Sequence, residues 1–588
     1  IYIYDFSKSN EGGMDMKKGI KGVSHVFWHL CRGYWRSEER WSARGLLLLL
    51  VFAAMGGVYA SMNLTQWFND FYDALQHYNR DPILMLMGVF AGWAFIYIFC
   101  YTYVVYLQQK LEIKWRRWMT ASYLESWMRN QTYYRMQVFG EESDNPDQRI
   151  SEDVRDFIRL TLQIGVGILQ NLTTLLAFSF ILWNLSGILD LTLGDTTFHI
   201  PGQFFWAVLL VAAVGTYMAN RAGSRLIGLN FNQQRYEADF RFQMMRVREN
   251  SESVAFYAGE SQEGKGFQER FVAVVRNFLQ IARQTKILNF WVGTYGRISS
   301  AVPLLLAVPR CFAGLLTFGG FTQLLITYQQ VETALSYFIN VYPELAKLAA
   351  VMQRLGTFTE HMEKIDAIES GVLREQKSGP DLQLNALKVA LPDGRVLLDD
   401  CSVELAEGSH ILITGPSGCG KSTLLRTLAG IWPFGAGTLE LPQKGRILFL
   451  PQRPYLPLGS LRQALYYPLS AGGSDQKLQE LLRLVGLEHL IGDLDKVDDW
   501  SRILSLGEQQ RIAFARVLLV QPQWVFLDES TSALDEPREK SMYELIKKEL
   551  PNCGIVSVGH RSTLFVQHET ELHLAGDGTW KLRPIMAG

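Results

Sequence analysis

The sequence predicts two unlike domains: an all-α membrane domain of six transmembrane helices with long cytoplasmic extensions, then an α/β domain built around a phosphate-binding loop. Three observations predict this. Long uncharged apolar runs are confined to the first 350 positions, a glycine-rich loop sits between an apolar strand and a helix at residues 410–428, and a second apolar strand at residues 524–529 ends in two carboxylates. At 588 residues, 48 % of them hydrophobic, the chain exceeds one ordinary soluble core. Its formal net charge of −1 supplies no basic surface, so no nucleic-acid partner is expected.

The apolar runs come first. Ile83 to Leu107 carries no charge and as a helix spans about 37 Å, against a hydrocarbon core of ~30 Å. Leu46 to Leu64 and Leu160 to Leu189 are equally uncharged, and soluble buried helices of that length are unusual. Phe204 to Ala219 is shorter. Phe290 to Val308 contains Arg297 and Phe312 to Val341 contains Glu332, so a soluble core competes for these two until the count is considered. An even number of crossings returns the chain to its starting side. The expected spans are about 45–65, 83–109, 160–189, 203–220, 287–309 and 312–343, within a membrane domain of residues 23–365.

Charge supports the same topology. Lys17, Lys18, Lys21, Arg32, Arg36, Arg40 and Arg44 precede the first span, and Lys110, Lys114, Arg116, Arg117, Arg129, Arg135, Arg149, Arg155 and Arg159 lie between the second and third. The outer loops Leu64–Asp81 and Asp190–Gly202 hold one base between them, Arg80. Base-rich connections belong on the cytoplasmic side. Val23–Trp41 mixes aromatic and basic residues and reads as an interfacial helix lying on the bilayer. Residues 1–22 are a tail without an apolar h-region, expected not to be a signal peptide, and carry no assigned function. Asn145 to Asp153 reads as the turn at a cytoplasmic tip, with Asn-Pro and Pro-Asp breaking one helix and Ser151 with Glu152 starting the next. Cys31, Cys100, Cys311, Cys401, Cys419 and Cys553 show no metal-ligand spacing and read as reduced thiols.

A charge facing lipid is costly, so Arg297 and Glu332 are expected to line a hydrated cavity, helped by Gln323, Thr327, Gln329 and Gln330, with Asp70 and Asp73 at its outer mouth. The alternative is that the two charges lie near helix ends or pair with one another.

After a linker at residues 366–379 comes the α/β domain, residues 380–588. Gly415, Pro416, Ser417, Gly418, Cys419, Gly420, Lys421, Ser422 and Thr423 form a P-loop between the strand His410–Thr414 and a helix from Leu424 to Leu428. Its glycines permit backbone conformations that converge N–H groups on phosphate oxygens at a helix N-terminus. Lys421 would reach the β/γ-phosphates and Ser422 would ligate Mg²⁺. In a parallel sheet the ligand lies at the carboxyl ends of the strands, which places Asp528 in the Mg²⁺ shell and Glu529 as the base that polarises water. Helix-capping acids are the plainer alternative for these two.

The order of further motifs resembles the ATP-binding cassette (ABC) transporter ATPase. Gln452 matches the Q-loop glutamine, Leu504-Ser505-Leu506-Gly507-Glu508 the signature, Ser532 to Asp535 the D-loop, and His560 the switch histidine. Leu506 and Glu508 depart from the family's LSGGQ, and the stretch Val389–Gly394 lacks the aromatic residue that commonly stacks on adenine. Asn145 to Arg149, Asn69 to Gln76 and Arg248 to Glu260 further resemble the SbmA/BacA-like and peroxisomal acyl-CoA half-transporters, with bacterial cobalamin and hydrophilic-solute importers carrying a fused ATPase the nearest type.

The resemblance implies an exporter-type ABC fold that hydrolyses ATP with Mg²⁺, Glu529 and His560 being catalytic, and Ser422, Gln452 and Asp528 around the metal. Ser505, Leu506, Gly507 and Glu508 would act in trans, with Asp535 in the D-loop between the sites. One P-loop and one signature per chain imply a homodimer, or a pair with a related chain, in the bacterial inner membrane. The expected activity is uptake of a hydrophilic small-molecule or peptide solute, cobalamin-like among them. The alternatives are a lipid, fatty-acyl or drug exporter, and a regulatory ATPase gating a channel.

Overall fold

The computed structural model describes residues 16–139, 145–193, 196–377, 379–442, 447–470 and 472–585. Residues 1–15 of the expected tail lie outside them. Two compact units emerge: Ile1–Glu125 with Asp144–Thr359, and Ser126–Ser143 with Glu360–Gly588.

The first unit is helical apart from one hairpin. Its elements are α1 (Met16–Arg36), α2 (Arg40–Gln76) and α3 (Ile83–Met128), followed after α4 (Thr132–Phe139, in the second unit) by α5 (Val154–Ser186). Then come the hairpin β1 (Ile188–Leu193) and β2 (Thr196–Pro201), α6 (Gln203–Glu249), α7 (Glu260–Phe312), α8 (Phe318–Asn340) and α9 (Tyr342–Asp366), whose residues from Glu360 belong to the second unit. Among the described residues, Arg40–Gln76, Ile83–Val138 and Pro146–Ser186 are long and apolar enough to cross a membrane, and counting a bent pair within α6 as one span brings the number to four. α7 and α8 occupy the expected fifth and sixth spans, but Arg297, Glu332 and their polar neighbours keep them below that threshold. α6 and α7 run for 47 and 53 residues, far beyond the ~20 that a bilayer needs, as the expected cytoplasmic extensions require.

Packing follows the helical period. α2 buries Ala43, Leu46, Leu50, Ala54 and Val58, one stripe at spacings of three and four. α5, α6, α7 and α8 close a core around Phe178, Leu182, Phe204, Val208, Ala307, Leu324, Tyr328 and Val331. The apolar stretch of α3 is instead turned outward, with Leu84, Phe95 and Ile98 exposed, as a lipid-facing helix requires. α1 packs Tyr34 flat on Trp115 at 5.4 Å and leaves Trp28 on the outside.

Four of these readings gain local detail. The helix after the cytoplasmic break starts at Pro146, behind Asn145, and not at Ser151, because proline suits the first helical position, where no N–H partner is needed. A π turn at Arg149–Asp153 leads into α5 and buries Asp153, whose carboxylate accepts Arg354 Nη2 at 2.6 Å, Arg354 Nε at 2.9 Å and Arg149 at 2.9 Å. The connecting segment grouped with the ATPase unit lies upstream of this turn, at Ser126–Ser143, where Arg129 and Asn130 each bond Asp366 at 2.9 Å. The second outer connection is a paired hairpin, with register running from Ile188↔Pro201 to Leu193↔Thr196. Finally, part of the expected linker is a strand.

That strand, β3 (Val372–Lys377), pairs parallel with β7 (Gly435–Pro442) at the edge of a four-stranded sheet ordered β3–β7–β4–β5, where β4 is Leu382–Ala390 and β5 is Val396–Leu405. Only Val372 of its described side chains is buried, so its polar sequence gives no strand signal. The second sheet uses β6 (His410–Thr414), β8 (Ile447–Leu450), β9 (Trp524–Asp528), β10 (Gly554–Val558), β11 (Thr570–Leu574) and β12 (Trp580–Pro584). Its order is β12–β11–β6–β10–β9–β8, all parallel except for β12 against β11. β9 and β10 are buried along almost their whole length, which explains their largely apolar sequences.

Behind this sheet His568 is buried between the Leu564 carbonyl, 2.7 Å from Nδ1, and Ser557 Oγ, 2.8 Å from Nε2. Burial lowers its pKa from the usual 6.5 to about 4. A base depressed in the folded state is protonated more readily when unfolded, so stability holds above about pH 6.5 and falls as pH drops towards 4, by up to ~3 kcal/mol. Urea melts of the full chain should show a shallower acid loss for His568→Gln than for the native protein. Equal slopes would remove His568 as the cause.

Candidate functional site

The carboxyl ends of β6, β9 and β10 meet at the P-loop. Gly415, Gly418 and Gly420 take φ of 139°, 78° and 106°, after which α10 (Lys421–Ala429) begins. Ser417 and Cys419 complete the loop, with Cys419 buried. The Lys421 ammonium is buried inside it, donating to the Gly415 and Pro416 carbonyls at 2.9 Å each. Ser422 Oγ donates to Asp528 Oδ1 at 3.1 Å, which joins the loop to the end of β9.

Asp528 and Glu529 form an acidic doublet. Burial, and then the neighbouring Glu529 charge, raise the Asp528 pKa above the usual carboxylate value, against the Ser422 hydrogen bond that lowers it. A divalent cation relieves both penalties, and a hydroxyl beside a carboxylate is a hard-oxygen donor set suited to Mg²⁺. Glu529 has φ of 47°, rare for a side-chain-bearing residue, while its N–H still bonds the Val558 carbonyl at 3.1 Å. That kink sets its carboxylate between Gln452, which donates Nε2–H to Oε2 at 3.0 Å, and His560, whose Nε2 lies 4.0 Å from Oε1. Lys421, Ser422, Gln452, Asp528, Glu529 and His560, scattered over 140 positions of sequence, thus make one site.

The signature residues form a second cluster. Ser505 caps α11 (Leu506–Val520), and Glu508 returns its carboxylate to the Ser505 N–H at 2.9 Å and hydroxyl at 2.8 Å. Burial alone would raise the Glu508 pKa, but the Ser505 bonds and the His489 and Arg511 charges bring it below normal. A glutamate at this departure from the family pattern therefore completes a capping box. Leu506 is half-buried, and a side chain on Gly507 would come within 3.1 Å of the Ala533 carbonyl, so the signature helix abuts the D-loop. Asp535 caps α12 (Glu536–Glu549) through the Arg538 N–H at 3.2 Å. Among the described residues, the hydrogen bonds of Ser505 and those of the P-loop share no partner.

Sequence reasoning missed the residues that hold these loops. Gln510, fully buried, donates to the Gln452 carbonyl at 3.0 Å and to Ser532 Oγ at 3.3 Å, and accepts the Ala533 N–H at 3.1 Å. Arg561 donates to the Leu534 carbonyl at 2.7 Å and the Ser532 carbonyl at 2.8 Å, fastening the switch segment to the D-loop. Their positions, five beyond the signature serine and one beyond the switch histidine, were the only signals available. The turn after β4 closes through Leu391 N–H on the Arg395 carbonyl at 2.8 Å and presents no aromatic ring, as the sequence indicated.

In the membrane unit the two candidate charges part. Glu332 lines a cavity of about 650 Å³ among α5, α7 and α8, whereas Arg297 is exposed and outside its lining. Asp73 accepts the Gly319 N–H at 2.8 Å at the start of α8. Asp70 accepts the Gln66 side-chain amide at 3.0 Å.

A P-loop on a parallel sheet, an acidic doublet at the end of a second strand of that sheet, and a signature helix, all following an apolar helical unit in the chain, define an ABC-type ATPase joined to a membrane domain. The family models agree: "ABC transporter transmembrane region 2" matches residues 30–312 and "ABC transporter" matches residues 398–532. An uncharacterized ABC transporter ATP-binding protein of Haemophilus influenzae is 35 % identical over 557 residues, covering 95 % of this chain and 93 % of its own. The inner membrane ABC transporter ATP-binding protein YddA of Escherichia coli is 32 % identical, covering 90 % and 94 %. The lysosomal cobalamin transporter ABCD4 of Homo sapiens is 27 % identical, covering 81 % and 82 %. The chain belongs to the ABC transporter family, as a half-transporter with a membrane-spanning helical domain and a fused, ATP-hydrolysing ATPase domain.

Proposed function

We propose that two copies of this chain form a homodimer that takes a hydrophilic solute across a bacterial inner membrane at the expense of ATP. One P-loop and one signature per chain, with no hydrogen-bond partner in common, support two composite sites related by a two-fold axis. Within each site Ser422, Asp528 and Gln452 would hold Mg²⁺, which would polarise the phosphate oxygens. Lys421 binds the β/γ-phosphates, Glu529 takes the proton of the attacking water, and His560 steadies that carboxylate and the transferred group. Ser505 and Gly507 approach the same phosphates from the partner, where the extra bulk of Leu506 alters the backbone contact.

Six crossings through α2, α3, α5, α6, α7 and α8 return the ATPase to the cytoplasmic side. The extensions at residues 110–159 and 221–286 carry closure of the ATPase pair to the spans. The observation that carries the hydrophilic cargo is the cavity around Glu332, where Asn171, Ser299, Gln329 and Asn340 stand beside Pro303, Leu304 and Leu325 and supply a carboxylate and hydrogen-bonding groups that a lipid tail would leave unpaired. The names of YddA and ABCD4 support an inner-membrane location and a cobalamin-like cargo respectively.

The test is reconstitution in sided liposomes with a panel of labelled hydrophilic and lipidic solutes and ATP supplied outside. Accumulation of a hydrophilic solute on the side away from the nucleotide would indicate export, and its depletion from the lumen uptake in the cellular sense. Movement of lipid alone, or conduction at constant ATP, would replace the proposal by an exporter or a gated channel.

A further inference from the structure

Resting on the transporter reading above, we infer that the cavity among α5, α7 and α8 recognises a cationic group on its cargo, with Glu332 as the pairing carboxylate. The cavity, about 650 Å³, has the volume of a site for a drug-sized ligand, which typically needs ~300–1,000 Å³. Among the described residues, Glu332 is the sole carboxylate in its lining, and no lysine, arginine or histidine lines it. The phenol of Tyr295 lies beside that carboxylate, and so does that of Tyr328, one helical turn before it on α8. Neither ring brings a positive charge.

The second observation concerns unmet hydrogen bonding. Ser299 and Tyr328 both line the cavity, are each 1 % exposed and lie beside one another, yet among the described residues neither Ser299 Oγ nor the Tyr328 hydroxyl makes a well-formed hydrogen bond. Buried polar atoms are normally paired, and an unpaired one costs about 1–3 kcal/mol. A carboxylate at membrane depth likewise calls for a compensating charge. Gln329, Asn171 and Asn340 offer further amide oxygens around the same space. Glu332 calls for a positive charge, and the hydroxyl and amide oxygens around it can accept from the same group, so a protonated primary amine satisfies this set. An anionic ligand would face Glu332 without a counter-charge, since Arg297 is outside the lining.

The experiment measures equilibrium binding to the full chain in nanodiscs. Its probes are three tripeptides blocked at both ends: Ala-Lys-Ala, the same peptide acetylated on the lysine ε-amine, and Ala-Glu-Ala. The lysine peptide should bind at least about tenfold more tightly than its acetylated twin, with the glutamate peptide weakest. Glu332→Gln should bring the lysine-to-acetyl-lysine ratio to about one, Glu332→Asp should restore most of it, and Arg297→Gln should leave it at the native value. Ser299→Ala should weaken both lysine peptides together by about threefold, because it removes a neutral contact. Equal affinities, absence of binding by all three, preference for the glutamate peptide, or a ratio untouched by Glu332→Gln would each overturn the inference. ATP hydrolysis by the same sample separates the failures: an active protein without charge preference removes the cationic cargo alone, while an inactive one removes the transporter reading beneath it.

Discussion

Glu529→Gln is expected to lower ATP hydrolysis at least ~100-fold while ATP binding persists, because removing a general base typically costs 10²–10⁴ in rate. The substitution changes little else. The amide has the same shape, keeps an oxygen for Gln452 Nε2, now 3.0 Å from Oε2, and leaves the backbone kink at φ 47° with its bond to Val558. What disappears is the proton acceptor beside His560. Nucleotide affinity should be unchanged or tighter, because Lys421, Ser422 and the loop N–H groups are untouched, and removing one carboxylate from beside Asp528 relieves repulsion. Hydrolysis at more than a tenth of the native rate would take the base role from Glu529. Loss of ATP binding together with hydrolysis would mean that the residue is needed to build the site and not to run it.

The second large effect belongs to the loop glycines, and it is graded. Gly415→Ala should weaken ATP binding by more than tenfold and lower the melting point, whereas Gly418→Ala should do much less. Both residues sit at positive φ, 139° and 78°, where alanine pays about 1–2 kcal/mol. Only Gly415 also lacks room. A Cβ there would lie 2.3 Å from the Leu574 carbonyl oxygen, on the neighbouring strand β11, and 2.9 Å from Cys419 Sγ. Backbone cannot swing aside, so the loop or the strand has to move. At Gly418 no atom lies within 4 Å of the added carbon. Nucleotide titrations and thermal melts of the two variants give the comparison; equal losses would mean that conformational freedom alone, without close packing, explains these glycines.

These residues also show what is legible in the sequence. The ATPase site could be read because its chemistry forces residue types at fixed points: glycines where the backbone must turn, an apolar strand before each functional loop, and carboxylates at a strand's end. Gln510 and Arg561 could not be read, since a glutamine or an arginine that ties one loop to another leaves no periodic trace. β3 escaped for a related reason: an edge strand with one buried side chain among those described has no apolar alternation. In the membrane unit the uncharged runs of α2, α3 and α5 declared themselves, while α7 and α8 depended on the count because they carry polar residues for the cavity. Their partners decided the fate of the charges. Glu332 and Arg297 look alike on paper, one charge in one apolar run, and only three-dimensional placement separates a lining residue from an exposed one.

The pairing of chains is tested most directly by complementation. Lys421→Ala breaks the P-loop half of a site and Ser505→Arg the signature half, so each variant alone should be inactive. Co-reconstituted in equal amounts, half the dimers would be mixed, each with one intact P-loop facing one intact signature, and about a quarter of native ATPase activity should return if the sites work independently. A mixture no more active than its two components would contradict sites shared between copies.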